Sequence, residues 1–340
     1  MLVAGTRPEC IKLAPVHYEL KKRKIKHAFV HSGQHYDRRL TFDIINELNL
    51  DVHCTSPILE EKPTKQLARL MQRIDKLVNF YKANIVVMQG DTNTTLAGAL
   101  VARKKNLTLY HVEAGLRSYD WRQPEEHNRR IVDHIADVNF TPTSYTKRIL
   151  KEEGITNGIR TGNTVIDLAL RYKDTVVAQP EDFGYLTLHR AETVDSKERL
   201  SILLQTLGKL PYNFMWPLHP RTKKRINQFN LSIPGNISIC EPVSYLQSLM
   251  LLKSCKFVAT DSGGLVEEAT VFNKPVVILR EYTDRPEALD SYHATLVKKF
   301  SKKWINAAFW IVNQTIPKAN PFGDGHAAEK ICDKITRRET

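Results

Sequence analysis

Short apolar runs rich in β-branched residues recur along this chain, and most are followed by a stretch long enough for a helix. No other feature constrains the fold as strongly. A strand buried on both faces reads as a continuous apolar run, and parallel neighbours need a crossover of helical length between them. The runs fall at 1–4, 27–31, 84–89, 107–112 and 138–141 in the first half, and at 183–188, 213–217, 237–240, 257–260 and 275–279 in the second. They predict the α/β class, with doubly wound parallel sheets covered by helices on both faces.

At 340 residues the chain exceeds what one core of ordinary size needs, so two domains are expected. The turn at Gly162-Asn163 separates the two series of strands. It sets the expected boundary: one Rossmann-like domain over residues 1–163 and a second over 164–321, with an amphipathic tail, 322–340, expected to pack back on the first. Only four residues precede the turn at Gly5, which makes the first strand short for the central position it should hold. No run of 18 apolar residues is present, and the first nine residues lack the basic flank and apolar stretch of a signal peptide. The five cysteines are scattered, without a CxxC pair. A reduced, cytoplasmic protein without a membrane partner is expected. The net charge of +13 suits a polyanion, but the basic residues are spread through the chain, and no zinc motif, recognition-helix pattern or aromatic platform points to nucleic acid.

Residues with chemistry gather just after strand ends, where open α/β sheets place ligands and helix N-termini direct free N–H groups at them. Gly5-Thr6-Arg7-Pro8-Glu9 follows the first run, with Arg7 and Lys12 placed to face phosphate. Gln89-Gly90-Asp91-Thr92 ends the third, His111-Val112-Glu113-Ala114-Gly115 the fourth, and Pro124-Glu125-Glu126 opens the helix after it. Asp91, Glu113 and Glu125 should therefore converge on one rim, and crowded carboxylates raise one another's pKa into the range of a general acid or base. In the second half, His189 and Arg190 follow a strand directly. Asp261-Ser262-Gly263-Gly264, ahead of Glu267-Glu268, is a small-residue turn into a helix, shaped for a diphosphate. Arg285 follows the next strand, within reach of phosphate or of Asp284. Each cluster alone is also what an ordinary capped helix start looks like.

Taken together, in order and spacing, the clusters resemble the non-hydrolysing UDP-N-acetylglucosamine 2-epimerases, of an archaeal type. GTRPE, QGDTNTTLAGAL, HVEAGLRS, PEEHNR, TGNTVID, TLHRAE, HPRTKKR, DSGG and NPFGDG all stand in the family's order, over nearly the whole chain. The resemblance implies a GT-B arrangement, with the active site between two Rossmann-like domains, usually in a homodimer. It assigns Asp91, Glu113 and Glu125 as the catalytic acids and His189 as the histidine facing them. Arg7, Lys12 and Arg190 match substrate contacts, Ser262, Gly263, Gly264 and Glu268 the UDP site, and Arg285 its phosphate or uracil side.

The implied reaction inverts carbon 2 of UDP-N-acetylglucosamine. UDP is eliminated to give 2-acetamidoglucal, and readdition with a proton on the opposite face gives UDP-N-acetylmannosamine, without cofactor or metal. Leu265-Val266 stands where the family commonly has Leu-Gln, Ala288 where glycine is common, and Val243 where glutamine or leucine is usual. Of the allosteric motif of bacterial relatives only Gln34-His35-Tyr36-Asp37 is kept, so activation by UDP-N-acetylglucosamine is expected to be weak or absent. The alternatives are a hydrolysing epimerase, one acting on a UDP-diacetamido-sugar, and a GT-B glycosyltransferase. The last would need an acceptor and would not be expected to carry all three acids.

Overall fold

A computed structural model describes residues 1–34, 38–59, 62–177, 181–312 and 319–337. The chain forms two compact units: Met1–Leu168 with the segment beginning at Phe322, and Ala169–Pro321. The chain passes from the first to the second within the helix Thr164–Lys173.

The first unit holds β1 (Leu2–Ala4), β2 (Phe29–His31), β3 (Val52–Cys54), β4 (Ile85–Gln89), β5 (Thr108–Val112), β6 (Val138–Thr141) and β7 (Gly158–Arg160). They form one sheet in the order β3-β2-β1-β4-β5-β6-β7, every pair parallel. The second unit holds β8 (Gly184–Thr187), β9 (Phe214–Pro217), β10 (Ile237–Cys240), β11 (Phe257–Thr260), β12 (Val276–Ile278) and β13 (Ala294–Leu296). Their order is β10-β9-β8-β11-β12-β13, again all parallel. This is the α/β class, with two doubly wound sheets of the GT-B kind.

Each apolar run of the sequence coincides with a strand, and the short β1 does lie centrally, between β2 and β4. Three strands were not foreseen: β3, β7 and β13. All three are sheet edges and only partly buried, so their sequences carry no continuous apolar run. The order of winding reverses between β1 and β4 in the first sheet and between β8 and β11 in the second. At these points neighbouring crossovers leave the sheet in opposite directions, which opens a crevice at the carboxyl ends of the strands.

The segment that returns to the first unit ends in the helix Ala327–Thr336, which lies on the helix Arg7–Lys22. Ile331, Cys332 and Ile335 are buried there, and Arg23 pairs with Asp333 at 2.6 Å. Asp167 caps the returning helix by accepting the N–H groups of Ala327 and Ala328, at 3.2 and 2.7 Å. Burial pushes its carboxyl up to about 6, against the two N–H donors that favour the ion, and Asp324 adds to the rise.

The turn after β5 is backbone under constraint. Glu113 has φ +70° and Gly115 φ +83°, two left-handed residues within three positions. A Cβ on Gly115 would lie 2.4 Å from the carbonyl oxygen of Thr146, so only glycine fits. Glu113 bears the steric cost of a side chain in this region, on the order of 1–2 kcal/mol, and is held there by its partners.

Two outcomes are expected. Gly115→Ala combines an unfavourable φ with a backbone clash and lowers stability by about 3 kcal/mol, read as a drop in the denaturation midpoint; an unchanged midpoint contradicts the packing described. For Asp167 the folded pKa is raised, so its contribution to stability is fully present below about pH 4 and lost as pH rises through about 6. Denaturant titrations of Asp167→Asn against the parent chain, between pH 4 and 6.5, should therefore move in the variant's favour by roughly 2–3 kcal/mol. A difference that does not change with pH refutes it.

Candidate active site

The crevice end of the first sheet is organised by a carboxylate that the sequence reading passed over. Glu9, in the first turn of the helix after β1, is 2% exposed. One oxygen accepts the N–H of Gly5 (2.7 Å) and the hydroxyl of Thr6 (3.0 Å). The other accepts the hydroxyls of Thr92 (2.7 Å) and Thr95 (2.9 Å), in and just before the helix after β4. The turns that follow β1 and β4 are thereby tied together. Burial raises the pKa of Glu9, and its four donors only partly offset this.

Asp91 follows β4 directly. Its carboxylate pairs with Arg129 at 2.6 Å, and its carbonyl accepts from the Asn128 side chain at 2.9 Å. The preceding Gly90, at φ +75°, donates its N–H to Val112 and has its carbonyl bonded by His111 Nε2 at 2.8 Å. His111 Nδ1 lies 2.8 Å from Asp133, which also takes the N–H of Gly115 and pairs with Arg117 at 2.6 Å. Arg117 continues to Glu153, and Arg130 joins Glu153 to Glu126. This buried network holds the turns that carry Asp91 and Glu113.

Glu113 is buried, with one oxygen on Lys12 Nζ at 2.5 Å and the other hydrogen-bonded by the side-chain amide of Gln89. Lys12 is itself buried, so this ion pair is largely shielded from water. Glu125 stands exposed in the first turn of the helix Pro124–Ile135, four residues before Arg129. Arg7 is half-buried at the start of the helix after β1. Asp91 and Glu113 follow the neighbouring strands β4 and β5, and Glu125 opens the helix after β5. Asp91 and Glu113 each pair with a cation, Arg129 and Lys12, and Arg129 also lies 3.8 Å from Glu126. The sequence had no means of showing those pairs, which join different elements.

Gln34 accepts both the N–H and the hydroxyl of Thr94, each at 2.7 Å. His35, Tyr36 and Asp37, the remainder of the allosteric fragment, lie outside the described residues.

In the second unit, His189 and Arg190 follow β8, and Asp261 and Ser262 follow β11, the two strands at the reversal of winding. Asp261 is 1% exposed and accepts the backbone N–H groups of His189 and Arg190, both at 2.9 Å. Its other oxygen lies 3.2 Å from His189 Nδ1. Burial lowers the pKa of His189, Asp261 opposes that, and Arg190 and Arg280 add to it. The helix Gly263–Val271 begins without a side-chain bond from its N-cap Ser262, and a Cβ on Gly264 would meet nothing within 4 Å. First-turn N–H groups beside open space are what a phosphate requires.

Glu268 is 8% exposed in the same helix. Arg285 is turned inward: its Nε bonds Glu267, and its Nη1 lies 2.9 Å from Asp284. Arg280, unremarked in the sequence, is buried beside Glu192 at 3.0 Å and stacks on Tyr282. Among the described residues no three His, Cys, Asp or Glu side chains group so as to hold a metal ion, and no helix is long and apolar enough to cross a membrane.

Against known proteins, a family profile for UDP-N-acetylglucosamine 2-epimerase matches residues 18–336. The UDP-N-acetylglucosamine 2-epimerase of Methanocaldococcus jannaschii is 38% identical, over 98% of each chain, and that of Methanococcus maripaludis is 37% identical, over 98% of this chain and 97% of the relative. A crystal structure of the M. jannaschii enzyme in complex with UDP-GlcNAc and UDP superposes with a TM-score of 0.89 at 37% identity, over 99% of both chains. The glycosyltransferase CalG4, at 11% identity and a TM-score of 0.61, shares the fold alone. A profile match over most of the chain, with relatives this similar along their full length, settles the membership that the motifs suggested: the chain belongs to the UDP-N-acetylglucosamine 2-epimerase family.

Proposed function

We propose that this protein is a non-hydrolysing epimerase that interconverts UDP-N-acetylglucosamine and UDP-N-acetylmannosamine. The observation that carries the reading is the full-length likeness to an epimerase solved with UDP-GlcNAc and UDP, in a chain whose first unit holds ion-paired carboxylates.

The hydrogen on carbon 2 is not acidic, because no ketone adjoins it. The reaction proceeds instead by breaking the bond between carbon 1 and the UDP oxygen. The electron pair leaves with UDP, the proton on carbon 2 passes to a base, and 2-acetamidoglucal remains. Return of UDP to carbon 1 and of a proton to the opposite face of carbon 2 completes the epimerisation. Asp91, Glu113 and Glu125 are our candidates for the groups that exchange that proton and steady the oxocarbenium-like sugar. Lys12 and Gln89 fix the direction of the Glu113 carboxylate, and Arg129 that of Asp91, so neither has to reorganise during the reaction.

Arg7, Lys12 and Arg190 are proposed to contact the substrate. The turn from Ser262 to Gly264 would take the diphosphate on the helix N-terminus, with His189 beside it and Glu268 on the ribose hydroxyls. Arg285, with its Nε and Nη1 engaged by Glu267 and Asp284 and its Nη2 3.8 Å from where a Cβ on Gly263 would stand, is proposed to meet the phosphate or uracil side of UDP. The assembly we propose is a homodimer, as the family resemblance implies. The location we propose is the cytoplasm, in keeping with five free cysteines.

A second reading has a specific relative behind it. UDP-2,3-diacetamido-2,3-dideoxy-D-glucuronate 2-epimerase of Pseudomonas aeruginosa is 30% identical over 99% of both chains. The deciding experiment is proton NMR of the protein with UDP-N-acetylglucosamine in deuterated water. New UDP-N-acetylmannosamine carrying deuterium at carbon 2 is the expected result, and Asp91→Asn should slow its appearance by about 10²-fold or more. Free N-acetylmannosamine would mean hydrolysis, and turnover of the diacetamido-sugar alone would favour the second reading.

A further inference from the structure

Asp261 occupies the reversal point of the second sheet, where β11 lies beside β8 with Thr260 opposite Thr187. Its carboxylate already accepts two backbone N–H groups, those of His189 and Arg190, and it faces His189 Nδ1 at 3.2 Å. A carboxylate oxygen 3.2 Å from Nδ1 favours a proton on that nitrogen, which leaves the other ring nitrogen bare in the neutral imidazole. A third of the His189 side chain remains exposed, while the Asp261 side chain beside its Nδ1 is fully covered. The neighbouring ring does not compete for this position. His219, 5.7 Å away between centroids, uses its own Nδ1 to accept the N–H of Arg221 at 3.2 Å.

We propose that Asp261 is a positioning residue for His189: it fixes the tautomer with the proton on Nδ1 and makes Nε2 the ring's working atom. Resting on the epimerase reading, the consequence for catalysis is specific. Nε2, protonated from solvent, donates to the diphosphate oxygen that gains the electron pair as the bond to carbon 1 breaks, and recovers the proton on readdition. The charged ring would then keep both partners, the carboxylate at Nδ1 and the phosphate at Nε2. Burial, Arg190 and Arg280 disfavour the cation in the empty protein, whereas Asp261 and Glu192 favour it. An arriving diphosphate adds negative charge at the open edge and shifts that balance toward the cation.

Asp261→Asn is nearly isosteric and keeps an oxygen for the two backbone N–H groups, but turns an amide N–H toward Nδ1 and so forces the proton to Nε2. The test is two-bond proton–nitrogen NMR of the full chain labelled with 15N-histidine, with His189 assigned by its disappearance in His189→Gln. Wild-type protein should show Nδ1 protonated and Nε2 bare, and Asp261→Asn the reverse. In the variant a neutral Nε2–H can bond the diphosphate but cannot hand over its proton without leaving an imidazolate, and the amide N–H at Nδ1 opposes the cation. Hence kcat should fall about 10²–10⁴-fold while the dissociation constant for UDP and the melting midpoint stay close to those of the parent. An Nε2-protonated ring in the wild type, the same tautomer in both proteins, or an unchanged kcat would overturn the proposal. The wild-type spectrum needs neither a variant nor turnover, so it judges Asp261 even if the protein epimerises nothing, an outcome that would sink the epimerase reading separately.

Discussion

The turns after β1 and β4, at the crevice end of the first sheet, depend on the buried carboxylate of Glu9. A sheet whose winding reverses between β1 and β4 leaves the turns after those strands without a covering crossover, and nothing in the strand ladders fixes one turn against the other. Glu9 does so with four hydrogen bonds, two from Gly5 and Thr6 and two from Thr92 and Thr95. Burying a carboxylate costs several kcal/mol, as its raised pKa reflects, and that cost is tolerable only where every donor is in place. Once the turn at Thr92 is fixed, Asp91 immediately before it has little freedom left, and Arg129 and Asn128 remove the remainder.

The second sheet meets the same problem at its own reversal with the same kind of device. Asp261 accepts backbone N–H groups from the turn after β8 although it belongs to the turn after β11. In both units a buried acid from one side of the reversal is satisfied by donors from the other side. The chemistry proposed for the two units differs, whereas the solution to holding loops over an open crevice is shared. Rigid loops matter for a reaction of this class, because groups already aimed at developing charge need no reorganisation in the transition state.

The sequence made the centre of each sheet legible and missed three of the four edge strands, β10 being the one it found, for a physical reason. Strands such as β4 and β11 are buried throughout, and their apolar runs cannot be missed. β3, with His53 exposed at its middle, β7, with Gly158 and Arg160 at its ends, and β13 lie at edges where only one side needs covering. The candidate site divides in a similar way. Asp91, Glu113 and His189 could be found because they stand at the ends of buried strands. Their partners, Arg129, Lys12, Gln89 and Asp261, were in plain view as residues, but the pairing depends on strand order, which spacing along the chain does not encode. Glu9 passed for an ordinary acidic residue in a first helical turn, the position such residues commonly hold.

The pairing also changes the chemical argument. Two carboxylates pressed together would obtain a proton-transfer group by repulsion, with a proton shared between them. Here Glu113 sits against a buried lysine and Asp91 against a mostly buried arginine, so each carboxylate has a cation within ion-pair distance. Such pairs do little for stability once desolvation is counted, and their value lies in direction. Glu113 makes the point most clearly. Its left-handed backbone is strained, and its two oxygens are held by groups from two other elements, Lys12 in the helix after β1 and Gln89 at the end of β4. Replacing the ion pair with apolar residues of similar size would relieve the desolvation, while a side chain at position 113 would still carry the left-handed cost. What the pair supplies is therefore the aim of the carboxylate, set by Lys12 and Gln89, rather than stability.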